Sequence, residues 1–283
     1  MPTIPPRPEP LFHLDDVAVR IAGRTLLHPL SLRIPKGRVI GLIGHNGSGK
    51  STLLRLLARQ LPPSQGEIRF EGVPMPRWRD RAFGRRLAYL PQTLPSAAGL
   101  LVRELVALGR YPWHGALGRF GAADRAAVKE ALVAVDLTTH AEQPVATLSG
   151  GERQRAFLGM LLAQSAGSLL LDEPISALDI AHQVEVLRLV RILALKGGLS
   201  VILVLHDVNL AVRFCDEIIA LHSGKIIGQD AAGTFMDAAR LQQIYGVPMN
   251  VIPAEGTAFG VCYPKIASPH EGPNSTSFSA PLN

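Results

Sequence analysis

The run Gly44-His45-Asn46-Gly47-Ser48-Gly49-Lys50-Ser51-Thr52 places three glycines, a lysine and three hydroxyls within nine residues. Glycines let backbone N–H groups close on an anion. The apolar run Val39-Ile40-Gly41-Leu42-Ile43 precedes it and Leu53-Leu54-Arg55-Leu56-Leu57 follows, so a strand, a turn and a helix N-terminus stand in order. The unpaired N–H groups and positive dipole end of that helix favour phosphate. Lys50 can then reach the β- and γ-phosphates of a nucleotide, and the Ser51 hydroxyl can ligate Mg²⁺.

About a hundred residues on, Leu148-Ser149-Gly150-Gly151-Glu152-Arg153-Gln154-Arg155 repeats the logic. A hydroxyl and two glycines again precede a helical pattern, which gives a second anion-binding surface. Such a chain holds two nucleotides, or one nucleotide between two copies. Leu169-Leu170-Leu171-Asp172-Glu173-Pro174 is a buried-strand pattern ending in two carboxylates. Asp172 suits a Mg²⁺ position, and Glu173 can accept a proton from an attacking water.

Taken together these stretches resemble the ABC-type ATPases, in which Leu-Ser-Gly-Gly-Glu-Arg-Gln-Arg is the signature motif. The likeness spans about residues 11 to 250. It implies ATP and Mg²⁺ as ligands, and a head-to-tail homodimer in which the cradle of one subunit faces Ser149, Gly150 and Gly151 of the other. Gln92, in Tyr89-Leu90-Pro91-Gln92, resembles the glutamine that senses Mg²⁺ and the attacking water. His206 resembles the histidine that contacts the γ-phosphate. Ser176-Ala177-Leu178-Asp179 resembles the loop that crosses to the partner, which adds Asp179 to the nucleotide-binding set. Two departures show: Ile175 replaces the usual Thr after Pro174, and Ile21 stands where an aromatic residue often stacks on adenine.

These residues need a scaffold. With 283 residues, 47% hydrophobic and 18% charged, the chain has ample material for a core. The strand and helix patterns alternate, which predicts an α/β fold, and the resemblance implies that it is of the P-loop NTPase type. It has a mostly parallel core sheet, an N-terminal antiparallel β subdomain from Leu11 to Pro35, and an inserted helical subdomain over 93–147. Helices are expected from Lys50 to about Gln60, over 102–108, over 124–135 with Asp124 as N-cap, over 151–164, 180–196 and 208–214. The stretches 217–221 and 225–228, joined through Ser223-Gly224, read as a hairpin. Residues 1–10 are a Pro-rich, flexible lead-in, 11–245 form the ATPase domain, and 246–283, rich in Pro, Ser and Gly, are expected to be loosely ordered.

The net charge of +6 favours an anionic partner. Cys215 and Cys262 have no metal-ligand spacing, and no run reaches the ~20 apolar residues of a spanning helix. The chain is expected at the cytoplasmic face of a bacterial inner membrane, as a peripheral motor for a separate integral-membrane permease. DNA-acting relatives of the superfamily carry coiled coils or zinc modules between cradle and signature; this interval has neither, so no nucleic-acid partner is expected. The basic stretch Arg77–Arg86 reads as a solvated face with paired charges. The aromatic and basic string Gly109–Phe120, with Ser176–Gln183 and Leu205–Asn209, resembles ATP-binding subunits of bacterial iron(III)-hydroxamate importers. That likeness implies a periplasmic siderophore-binding protein in the complex; a cobalamin or haem importer, or an ABC ATPase acting on DNA, is the alternative.

Overall fold

A computed structural model describes residues 9–115, 118–253 and 259–266. β1 (Phe12–Ile21) and β2 (Arg24–Ile34) pair antiparallel, and the buried β3 (Val39–Ile43) runs into the cradle and α1 (Lys50–Leu57). β4 (Gln65–Phe70) and the two-residue β5 (Val73–Pro74) complete a four-stranded antiparallel sheet in the order β2-β1-β4-β5. After α2 (Asp80–Gly84) and β6 (Leu87–Leu90) comes the helical region: α3 (Val102–Leu108), α4 (Tyr111–His114), α5 (Ala122–Ala134) and α6 (Gly150–Ala163).

The alternation resumes with β7 (Ser168–Leu171), α7 (Ile180–Gly197), β8 (Ser200–Val204) and α8 (Val208–Phe214). β9 (Glu217–His222), β10 (Lys225–Ala231), α9 (Ala238–Tyr245), β11 (Met249–Ile252) and β12 (Val261–Pro264) follow. The core sheet has the order β10-β9-β3-β8-β7-β6, parallel throughout except for the hairpin strand β10. β3, β7 and β8 are buried along their whole length, as strands covered on both faces must be. No helix among the described residues is long and apolar enough to cross a membrane.

Two expectations are corrected. Asp124 is not the N-cap of its helix: Gly121 is, and Asp124 lies at the third helical position. Its Oδ2 accepts from the Gly121 N–H at 2.9 Å and its Oδ1 from Arg110 Nε at 2.9 Å. The buried guanidinium holds this carboxylate inward, where it caps from inside the first turn. The stretch from 246 onward is also not loose throughout, because β11 and β12 pair from Met249↔Pro264 to Ile252↔Val261. Asn209 bonds both backbone groups of Cys262, at 3.1 and 2.9 Å, and so fastens β12 to α8. Residues 1–8 and 267–283, where a flexible lead-in and a loose tail are expected, lie outside the described residues, as do 116 and 117 of the aromatic string.

The basic stretch spends charge internally. Arg86 forms a two-point pair with Glu71 at 2.8 and 2.7 Å, and Arg85 donates to the carbonyls of Pro112 and Trp113.

Candidate functional site

Every strand of the parallel set that leads into the site does so from its C-terminal end. Gly44 follows β3, Gln92 follows β6, Asp172 follows β7 and His206 follows β8. Between β3 and α1, Gly44, Gly47 and Gly49 have φ of 147°, 77° and 103°. A Cβ on Gly44 would lie 2.2 Å from the Leu221 carbonyl oxygen, so a larger residue is excluded twice over. Lys50, only 4% exposed, turns back into the loop and donates from Nζ to the carbonyls of Gly44 (2.8 Å) and His45 (3.0 Å). Burial holds its ammonium below the ordinary lysine value, offset in part by the charges of Glu173 and Asp172.

The Ser51 hydroxyl donates to Asp172 Oδ1 at 2.8 Å, while Asp172 Oδ2 is buried with no partner. Burial pushes this carboxyl above its ordinary value. Next to it, Glu173 adopts a left-handed backbone (φ 51°), and its carboxylate takes a different partner from that of Asp172. Its Oε1 lies 2.8 Å from Nε2 of His206. A cavity of about 670 Å³ collects Asn46, Gly47, Gly49, Lys50, Ser51, Thr52, Gln92, Glu173 and His206. Around it, His45 takes the Ser223 N–H at 3.3 Å and Ser48 is buried.

The remaining expected residues lie elsewhere. Ile21, 47% exposed at the end of β1, does not line the cavity; Thr25 and Leu26 of β2 do. Ser149, Gly150, Gly151 and Asp179 are not among its lining residues either. Ser149 is the N-cap of α6 and exchanges hydrogen bonds with Glu152. Asp179 caps α7 and grips His182, through the backbone N–H at 3.0 Å and Nδ1 at 2.8 Å. These bonds hold its carboxyl below the ordinary value. A Cβ on Gly151 would come within 2.6 Å of the His182 ring, so the two helix starts are packed against each other.

Sequence reasoning missed four lining residues: Thr25, Leu26, Ser223 and Gly224. The last two form the β9–β10 turn, with φ of 47° and 74°. Gly224 donates to Ser48 O and accepts from His28 N–H, each at 2.9 Å, so the turn ties the cradle to β2. The Ser-Gly pair reads as a hairpin from sequence, but its docking against the cradle is a long-range fact that no local pattern carries.

The site can hold a polyphosphate at the cradle and a divalent cation beside Asp172. Among the described residues no group of three or more His, Cys, Asp or Glu could hold a metal alone. A divalent cation here would take Asp172 with the Ser51 hydroxyl, and water or phosphate oxygens would complete its shell.

The ABC transporter family model matches residues 27–176. The achromobactin transport ATP-binding protein CbrD of Dickeya dadantii is 39% identical over 249 residues, which cover 88% of this chain and 93% of that protein. The iron(3+)-hydroxamate import ATP-binding protein FhuC of Bacillus subtilis is 36% identical, with 88% and 92% covered. Among solved structures, the dimeric bacterial ABC transporter cassette MJ0796 superposes with a TM-score of 0.69 at 26% identity, over 78% of this chain and 98% of that one. The chain belongs to the ABC transporter family, among its ATP-binding proteins.

Proposed function

We propose that this chain is the ATP-hydrolysing subunit of an importer that carries ferric siderophores, iron(III)-hydroxamates foremost, across a bacterial inner membrane. Two copies pair head to tail at the cytoplasmic face, beneath an integral-membrane permease supplied by a periplasmic siderophore-binding protein. One observation carries the clamp: Lys50, Ser51, Gln92, Glu173 and His206 share a cavity that Ser149, Gly150, Gly151 and Asp179 do not line. A second copy, turned to face the first, supplies the missing wall. The dimeric cassette described above supports that arrangement, and the achromobactin and hydroxamate relatives support the cargo class.

In this reading the phosphates lie on the N–H groups of residues 44–52, and Lys50 exchanges its two carbonyl partners for phosphate oxygens. The unpartnered Asp172 Oδ2, with the Ser51 hydroxyl and Gln92, fits Mg²⁺, which when bound neutralises phosphate charge. Glu173 accepts the proton of a water attacking the γ-phosphate in line, and His206, already bonded to Glu173, orients that carboxylate. Closure is favoured only with nucleotide in place, because the contacts across the pair are made to phosphate. Loss of the γ-phosphate reopens it.

Glu173→Gln tests the clamp. It should bind ATP, accumulate as a paired species in size-exclusion chromatography, and lose at least about a hundredfold in turnover. Wild-type turnover in that variant would remove Glu173 as the base. Deletion of the gene, followed by growth with a hydroxamate siderophore or haem as sole iron source, tests the cargo. Undiminished growth on the hydroxamate would reject it.

A further inference from the structure

The Ser149 hydroxyl is already committed. Glu152, in the first turn of α6, accepts the Ser149 hydroxyl at 2.7 Å and the Ser149 N–H at 2.8 Å, both on Oε2. Its other oxygen, Oε1, lies 3.3 Å from Nε2 of His140. That imidazole is fixed from its far side, with Nδ1 3.1 Å from the Thr139 hydroxyl. When the hydroxyl donates, the neutral ring carries its proton on Nε2 and presents it to Glu152. Arg155, which also acts on Glu152, is held by Glu185 at 3.2 Å.

His140 does not belong to α6. It closes the short 3-10 turn Thr138–His140, and the residues just after it are sewn to the start of α3. The Val102 N–H donates to Gln143 O and the Arg103 N–H to Ala141 O, each at 3.0 Å. The start of α3 thus holds the segment that carries His140, and contacts run on from His140 through Glu152 to Ser149.

We infer that His140 is a positioning residue for the Ser149 hydroxyl, acting through Glu152 on the nucleotide held by the facing subunit; this rests on the clamp reading above. A proton donated to Glu152 is not available to a phosphate. To release it, the carboxylate needs another donor, and His140 supplies one. The same contact offsets a negative charge that would otherwise stand beside an incoming polyanion. Without His140, Glu152 has Ser149 as its remaining close donor and holds the hydroxyl harder.

The test uses the full chain carrying Glu173→Gln, with light scattering reading the ATP concentration at half-maximal pairing. Adding His140→Ala should raise that concentration about threefold, the scale of a partly exposed charged contact. His140→Phe, which keeps the ring volume without the donor, should do the same, and His140→Gln, whose amide reaches the same oxygen, should recover most of the loss. In a Glu152→Gln background, His140→Ala should add no further shift. A role confined to packing would lower the melting temperature and leave the ATP midpoint in place. If both His140→Ala and His140→Phe pair at the parent's ATP concentration, this inference is overturned alone. If the parent itself does not pair with ATP, the clamp reading falls and takes this one with it.

Discussion

One oxygen of Asp172 accepts from Ser51 while the other is buried with no partner. Within the chain alone this is a cost, since a buried carboxylate oxygen without a donor loses its hydration for nothing in return. Folding raises the carboxyl above its ordinary value, so the folded chain binds that proton more tightly than the unfolded one. The resulting stability is complete below the ordinary aspartate value and is lost as pH rises through the raised folded value. Asp172→Asn should therefore stabilise the nucleotide-free chain at neutral pH by on the order of 1 kcal/mol, a rise of roughly 2–4 °C in melting temperature. The gain should vanish in acid, where the wild-type carboxyl is already neutral. Melting curves of both proteins across that pH range decide the point; a variant less stable than wild type at neutral pH would contradict it. Lys50 is the mirror case. The cost of burying its ammonium opposes the gain from its two carbonyl bonds, so Lys50→Ala should change folding stability little yet lower ATP affinity at least about a hundredfold. Calorimetric titration with ATP reads this directly.

At the scale of elements, the β9–β10 turn supports the cradle. Gly224 has φ 74°, and a Cβ there would lie 2.6 Å from the Leu26 carbonyl oxygen. Gly224→Ala should cost about 1–3 kcal/mol and weaken ATP binding, because the turn must leave Ser48 and His28 to relieve the clash. Gly246→Ala is the matched control, with φ 76° and open space around the new methyl. It should destabilise the chain without moving ATP affinity; an equal effect of both on affinity would argue against the buttress. The pair also marks what is legible in a sequence. The cradle reads easily because its glycines, its preceding apolar strand and its following helix are neighbours in the chain. The carboxylates after β7 read for the same reason. Thr25 and Leu26 do not, since they reach the cavity through the packing of one sheet against another. β12 is hidden for a related reason: part of its pairing comes from the Asn209 side chain, more than fifty residues away, and its four residues offer too short an alternation to stand out. Asp124 looks like a cap from its type and place, and only the buried Arg110 explains why it is held inside the first turn instead.

At the scale of the whole molecule, the aromatic string after α3 splits into two kinds of residue. Tyr111 is 55% exposed at the start of α4. Trp113 is 39% exposed, but its indole N–H donates to Gln164 O at 2.7 Å and its ring lies about 5 Å from the guanidinium carbons of both Arg85 and Arg110. That stack joins α4 to the C-terminal end of α6 and to the strand side of the sheet, since Gln164 also reaches Leu87 O at 3.0 Å. The two residues should therefore fail differently. Trp113→Ala removes packing and two cation–π contacts, and should lower stability by about 2 kcal/mol, or roughly 4–8 °C, with or without a partner. Tyr111→Ala should leave the melting temperature and the basal ATPase rate of the isolated chain unchanged, and should weaken capture of the chain by permease-containing membranes. Thermal melts, basal turnover and co-sedimentation with those membranes, run on both variants, separate the roles. Equal loss of stability in both would make the string a core element, and full capture of Tyr111→Ala would take Tyr111 out of the docking surface.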